Sequence, residues 1–493
     1  MNTRAIPLPA FRWLMPLLLG VLLLAPHALL WAQDEAPGLP AGLESGGEPS
    51  LPAGLGDSGE TPSLPQGLGE DAPSPGSGAD EGEVDGEEDE SMGRWGGFAE
   101  LRGGRRFRED PSHKRTSLAE ARLQLEGEWQ GGGIALRLKT DLLYDQVAEN
   151  REEENTLELE RGRGWLDLRE ANGAFAPLSF LDVKAGRQII TWGTGDLLFI
   201  NDLFPKDYRS FFLGRDEEYL KAPSDALKLS GYSPWVNADL VYSPRFDPDR
   251  YVDGSRLSYY DPALGQIAAS PVVADLPHKA GEDDEWAMRL HGVLGTVEGA
   301  LYGYRGFWKS PAGMDPATGH ATFPRLAVNG ASLRGPLAGG LANLEGGAYR
   351  SLDDPDGDDP FVRNGETRVM AGYEREALRN LTLGVQYYHE RMRHYTAYVE
   401  SLSPGAEPAE RDRRLWTLRL TWLTFNQNLT WSWFTFYTPQ DEDAYHRAKV
   451  RYAASDDWSL EMGANLFGGE RDDGFFNQFR HNENAYGALR YSF

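Results

Sequence analysis

Period-two alternation constrains this chain more than any other feature. In the last nine residues Ala485, Gly487, Leu489, Tyr491 and Phe493 share one parity, while Tyr486, Ala488, Arg490 and Ser492 share the other. One edge of that strand is apolar and ends in aromatics, and the other is mixed polar, as expected where two faces meet different media. The pattern returns far upstream. Ala119, Ala121, Leu123, Leu125, Gly127 and Trp129 alternate with Glu120, Arg122, Gln124, Glu126, Glu128 and Gln130. Beyond Gly131–Gly133, Ile134, Leu136, Leu138, Leu142 and Tyr144 alternate with Ala135, Arg137, Lys139, Asp141 and Leu143. This is a hairpin with one apolar and one charged face. A soluble sandwich turns the charged face outward, whereas a membrane barrel turns it inward, and strands of ten or more residues ending in aromatics favour the barrel.

The N-terminus agrees with export. Arg4 and Arg12 precede an apolar run from Trp13 to Ala25, followed by small residues up to Ala32. These features predict a signal peptide over 1–32. The run is too short to span as a helix, and no later segment offers eighteen consecutive apolar residues. There is no Cys, so disulfides, thiolate metal sites and covalent haem attachment are excluded. The formal charge is -27, and residues 33–92 hold 16 Asp and Glu with no Lys or Arg. That Pro/Gly/Glu-rich segment repeats Leu-Pro-x-Gly-Leu at 39–43, 51–55 and 64–68. Repeats this short bury too little surface to offset their ordering entropy, so a disordered acidic tail is expected, set in the periplasm as a spacer or as a tether for a periplasmic partner. So acidic a chain has no character of a nucleic-acid binder.

From Gly93 onward eighteen strands can be counted, the fourth at 158–169 and the last at 484–493, with short turns alternating with long polar connections. The expected fold is all-β: a transmembrane antiparallel up-and-down β-barrel of 16–18 strands over 93–493. At that size side chains do not fill the lumen, so water or a loop must. Arg447, Lys449 and Arg451 share the lumen parity, with Arg419 and Arg490 on nearby strands and Arg137 with Lys139 across the seam. A row of cations in a wet pore attracts anions. Glu461, Glu126, Glu128 and Asp141 face the same lumen and offer mutual neutralisation instead. Residues 191–224 are too apolar for a solvated loop. Phe199, Phe204, Phe211, Phe212 and Tyr219 want cover while Lys206, Arg209, Arg215, Asp216 and Lys221 want water, so an inward fold that lines a constriction is expected.

A chain that stops on an alternating strand with Phe493 and Tyr491 resembles the outer-membrane barrels of Gram-negative bacteria. In those the terminal aromatic is a signal to the barrel assembly machinery. Gly186-Arg187-Gln188 with Trp192-Gly193 is similar to a strand motif of porin-like barrels, including the alginate-export-like family. The resemblance implies residence in the lipid of the outer membrane and a porin-like channel for small anionic or saccharide solutes, or for export of an acidic polysaccharide. The alternatives are a structural barrel holding a periplasmic partner and, less favoured, an outer-membrane hydrolase. No enzyme is expected. His389-Glu390-Arg-Met-Arg-His394 has one residue too many for a zinc-peptidase motif, and Asp353–Asp359 lacks the EF-hand spacing. No cofactor or metal site follows.

Overall fold

The computed structural model describes residues 92–148 and 157–493. The expected signal peptide, and the acidic tail up to residue 91, lie outside them. Eighteen antiparallel strands form one closed sheet. Its first half comprises β1 (Met92–Arg106), β2 (Thr116–Gly131), β3 (Ile134–Asp145), β4 (Leu166–Leu178), β5 (Leu181–Gln188), β6 (Ser224–Gly231), β7 (Asn237–Ser243), β8 (Glu285–Leu294) and β9 (Val297–Phe307). The second half comprises β10 (Arg325–Leu337), β11 (Gly340–Ser351), β12 (Glu366–Leu378), β13 (Leu381–Met392), β14 (Asp412–Thr424), β15 (Leu429–Thr438), β16 (Asp443–Ala453), β17 (Trp458–Gly468) and β18 (Asn484–Ser492).

Closure is direct. β1 pairs with β18, Leu101 opposite Leu489, and beyond the last pair Gly97 and Phe493 exchange two backbone hydrogen bonds of 3.0 Å. No strand edge is left, which is the condition for a sheet to sit in hydrocarbon. The turns between β2 and β3, β8 and β9, β10 and β11, and β12 and β13 are two residues long, and they gather at one end of the barrel. The long connections gather at the other.

One strand departs from its expected place. Gly162 and Gly164 adopt positive φ, so the extended run begins only at Leu166 and β4 lies at Leu166–Leu178 rather than 158–169. A bulge opposite Lys139 and Thr140 then breaks the alternation, leaving Arg169 and Glu170 both buried. The irregularity hid the strand from a period-two reading.

The barrel is inverted relative to a soluble protein. Leu136, Leu301, Leu344, Trp416, Leu418, Leu460 and Leu489 are exposed on its outside, while Glu100, Arg102, Arg122, Asp141, Asp239 and Glu345 are buried within. Aromatic pairs mark the outer surface, among them Tyr242 with Trp286 at 4.5 Å and Tyr387 with Trp416 at 4.8 Å between ring centroids. Leu418 sits between Trp416 and Trp422 on one outward face of β14. Leu418→Arg should therefore lower unfolding stability in lipid vesicles by about 2–4 kcal/mol, measured by denaturant titration, whereas Arg451→Gln on the inward parity should change it by less than about 1 kcal/mol. Equal losses would show that the two faces are not in different media.

Candidate functional site

The segment between β5 and β6, residues 189–223, turns into the lumen. Its apolar side chains dictate this: Ile190, Trp192, Leu198, Ile200, Phe204, Phe211 and Leu220 are buried against the inward faces of Val241, Ala287, Val328, Tyr349, Tyr388, Phe434 and Tyr445. These wall residues lie in the half of the barrel nearest the long connections. Polar anchors fix the path. Glu345 of β11 accepts from the backbone N–H of Thr194 at 2.7 Å and of Asn201 at 2.8 Å, and Gln386 of β13 accepts from Asp196 N–H at 2.8 Å.

A short helix, α1 (Tyr208–Leu213), then runs along the wall, capped by the Asp207 carboxylate, which accepts from Ser210 N–H. It ends at Gly214, whose φ of 93° favours glycine and whose missing side chain makes room for the Tyr486 ring, 2.5 Å from where a Cβ would stand. The turn directs the Gly214 carbonyl to Arg102, which donates to it at 2.8 Å. It also aims Asp216, Glu217 and Glu218 into the half of the lumen nearest the short turns.

There the expected cations are waiting. Asp216 lies 3.6 Å from Lys449 and 3.3 Å from Arg490. Glu217 lies 3.4 Å from Arg419 and 3.5 Å from Arg447, and Glu218 lies 3.8 Å from Lys139 and 3.6 Å from Arg490. Three consecutive carboxylates thus gather cations from β3, β14, β16 and β18. Arg419 also binds Asp196, at 2.8 Å through one pair of atoms. Neutralisation within the wall operates too: Arg137 meets Glu126 at 2.6 Å and Glu128 at 3.6 Å, and Arg122 pairs with Asp141. Glu461 is engaged by Arg102 at 2.9 Å and Lys449 at 3.7 Å, which leaves Arg451, opposite it in register, with no ion pair among the described residues.

All seven expected lumen cations face inward. Lys206, Arg209 and Arg215 behave differently from expectation: they do not line water but pin the loop. Lys206 is buried and donates to Asp202 at 2.9 Å and to the Phe204 carbonyl at 2.8 Å, Arg209 donates to the Arg161 carbonyl, and Arg215 grips Glu120 at 2.6 Å. At Lys221 it is the backbone carbonyl that serves, accepting from Arg169 at 2.9 Å. Once apolar residues draw the loop inside, its charges must find partners on the wall. Tyr219 completes the anchorage, its ring between the guanidinium groups of Arg122 and Arg169 at 4.1 and 4.6 Å.

A second inward connection, 244–284, supports the first. Arg250 joins Asp167 of β4 at 2.7 Å to Asp207 at 3.4 Å, and Arg256 binds Asp145. A cavity of about 110 Å³ between β3 and α1 is lined by Arg163, Arg209, Arg215 and Arg256, and each of these is tied to a neighbour. The Asp353–Asp359 loop closes on itself, since the Asp354 carboxylate accepts from the N–H groups of Gly357, Asp358 and Asp359. His389 faces outward to Asp412 while Glu390 faces inward to Arg413, as alternation requires.

The sequence showed the cations, the wall carboxylates Glu126, Glu128, Asp141 and Glu461, and Asp216 of the loop, but not the remaining counter-charges. Asp196, Glu217, Glu218 and Glu345 were missed, although an acidic triplet inside an apolar segment was a readable signal that it would meet cations.

Burial pushes the Asp216 and Glu217 carboxyls upward, yet the facing cations prevail. Lys449, Arg490 and Arg102 hold Asp216 well below the usual carboxylate range, and Arg419, Arg447 and Lys449 hold Glu217 down to about 2. A folded value below the free value of about 4.3 means the contact stabilises the inserted loop above that pH and fades as pH falls towards about 2. Asp196, raised by burial against the pull of Arg419, contributes with the opposite sign. Amide exchange of residues 215–221, corrected for intrinsic rates, should stay flat from about pH 7 to 5 and rise between about pH 4 and 2. Glu217→Gln should raise it already at neutral pH. A rise centred near pH 6 would assign control to another group.

No protein-family model matches the chain, and neither does any curated protein. The alginate-export-like resemblance therefore gains no support. Solved structures do match. OccAB4 of Acinetobacter baumannii aligns over 82% of this chain and 99% of its own with a TM-score of 0.51 at 9% identity. OccAB3 of the same organism aligns over 81% and 99% with a TM-score of 0.49 at 9% identity, and OccK9 (OpdG) of Pseudomonas aeruginosa over 82% and 98% with 0.47 at 11%. At such identity the OccAB4 likeness shows a shared barrel fold.

Proposed function

We propose that this chain is an outer-membrane channel through which small anionic solutes diffuse. The observation that carries the reading is the convergence of lumen cations from β3, β14, β16 and β18 on the tip of an inserted loop. A wall that needed only a spacer would not concentrate buried, paired charge at one level, where each ion carries a desolvation cost. The pairs are incompletely enclosed, with Lys449, Arg490, Asp216 and Glu218 each partly exposed on the lumen side. An incoming carboxylate or phosphate can therefore compete for them, which gives selectivity without tight capture.

Two inserted connections and a packed apolar cluster in the lumen weigh against export of a polymer, which needs a continuous bore. They suit solutes that pass singly. The terminal strand is proposed to engage the barrel assembly machinery through Phe493, and the acidic segment over 33–92 to lie on the periplasmic side, where a partner is its alternative role.

The folded chain in a planar bilayer should give stable current steps with a reversal potential that favours anions in a salt gradient. Replacing Arg447, Lys449 and Arg451 together with Gln should keep heat-modifiable migration and shift the reversal potential toward cations, because Asp216 and Glu217 lose their counter-charges. An unchanged reversal potential would remove these residues from the conduction path. A silent bilayer would favour the barrel as a holder of a periplasmic partner.

A further inference from the structure

The outward faces of β9 to β14 carry a second set of cations that the lumen does not use. Reading outward-facing positions toward the long connections, β9 runs Leu301, Gly303, Arg305, and β11 runs Leu344, Gly346, Ala348, Arg350. β13 runs Val385, Tyr387, His389, Arg391, and β14 runs Leu418, Trp416, Arg414. In each case an apolar face ends, at the same end of the barrel, in an exposed arginine. On β14 the arginine stands immediately beyond the outer-surface aromatic Trp416, and on β13 it lies two outward positions beyond Tyr387.

Register groups the arginines in two neighbouring pairs, the second level with Ala348 of β11 through Thr367 of β12. Arg305 and Arg350 both pair in register with Ala327 of β10, which sets them two strands or about 10 Å apart. Arg391 lies opposite Asp412 and Arg414 opposite His389, so these two arginines are diagonal neighbours. Compensation is thin. Asp412 serves His389 at 3.0 Å and Arg391 at 3.8 Å, while Arg305, Arg350 and Arg414 make no ion pair among the described residues. On the outward faces of β15 to β18 there is no Lys or Arg, and the next exposed outward arginine at this end is the single Arg105 of β1, so the cluster, though not every such arginine, lies between β9 and β14. At the short-turn end of β9 to β14 only Arg375 of β12 faces outward from a strand.

Arginine at mid-membrane depth on a barrel exterior is costly, but the cost falls toward zero at the interface. Unpaired guanidinium groups level with an outer-surface aromatic, as Arg305 is with Trp286, or just beyond one, as Arg414 is beyond Trp416, stand at the depth of lipid headgroups, and their planar forks match phosphate oxygens. We propose that Arg305 with Arg350, and Arg414 with Arg391, form two adjacent exterior contacts for the phosphate groups of lipid in the leaflet at the long-connection end. The site rests on the outer-membrane placement proposed above, with the long connections outside. That leaflet presents phosphorylated glycolipid, so a bisphosphorylated lipid A is the probe.

The test is native mass spectrometry of the folded full-length barrel in detergent, titrated with bisphosphorylated lipid A. Arg305→Gln/Arg350→Gln/Arg414→Gln should weaken binding about tenfold or more while leaving heat-modifiable migration intact, whereas Arg375→Gln should leave binding unchanged. Enzymatically dephosphorylated lipid A should bind the native chain no better than the intact lipid binds the triple variant. Inorganic phosphate at millimolar concentration should not displace the lipid. Equal binding by the triple variant, or by the dephosphorylated lipid, would overturn the proposal, and full displacement by inorganic phosphate would reassign the site to a free anion and overturn its lipid. No current is read, so a silent barrel that binds the lipid refutes the channel alone. A conducting barrel indifferent to the phosphates refutes this site alone.

Discussion

The hydrogen bonds between β1 and β18 are the constraint from which the rest follows. In hydrocarbon an unpaired backbone N–H or C=O has no water to turn to, so a sheet must close on itself. Once Leu101 meets Leu489 and Gly97 meets Phe493, every strand of the barrel has two neighbours and every side chain on it has only two directions available. Outward parity must then be apolar over the membrane depth, and inward parity must satisfy whatever fills the lumen. The inverted burial, with leucines outside and arginines inside, is a consequence of closure.

A closed sheet of eighteen strands leaves an interior too wide for wall side chains to meet. Residues 189–223 answer that geometry in two layers. Near the long connections the wall is aromatic, and the loop supplies Trp192, Phe204 and Phe211 to make a dry core. Near the short turns the wall is cationic, and the loop supplies Asp216, Glu217 and Glu218. The apolar layer gives the loop its stability; the charged layer sets its height, because a carboxylate one residue out of place would leave a buried guanidinium without a partner.

Much of this was legible in the sequence for a physical reason: alternation is imposed strand by strand, so each strand reports its own two faces. β16 showed Arg447, Lys449 and Arg451 on one parity without knowledge of any neighbour, and all three face the lumen. β4 was misplaced because its bulge and the glycines before it are local departures from period two. The inward fold of the loop was readable from its unsolvated aromatics. Its charge pairing was not, because that depends on which strands surround the loop tip, a property of closure and register that no single segment carries. Lys206, Arg209 and Arg215 were expected to face water for the same reason; their partners Asp202, Glu120 and the Arg161 carbonyl come from the loop's own turn and from distant segments.

The same side chain plays three parts in this barrel, and position alone decides which. Arg102, buried between Glu100, Glu461 and the Gly214 carbonyl, is a structural tie whose loss would leave Glu100 to Arg490 and Glu461 to Lys449 alone. Arg490, partly open and shared among Glu100, Asp216 and Glu218, keeps a face toward the lumen where a passing anion can exchange for its partners. Arg414, one alternation step from the inward Arg413 and Leu415, stands outside with no protein counter-charge. Enclosure by carboxylates makes an arginine architectural, and incomplete enclosure leaves it able to interact with a ligand. On a barrel that distinction is set by two coordinates: the parity of the residue and its height along the strand.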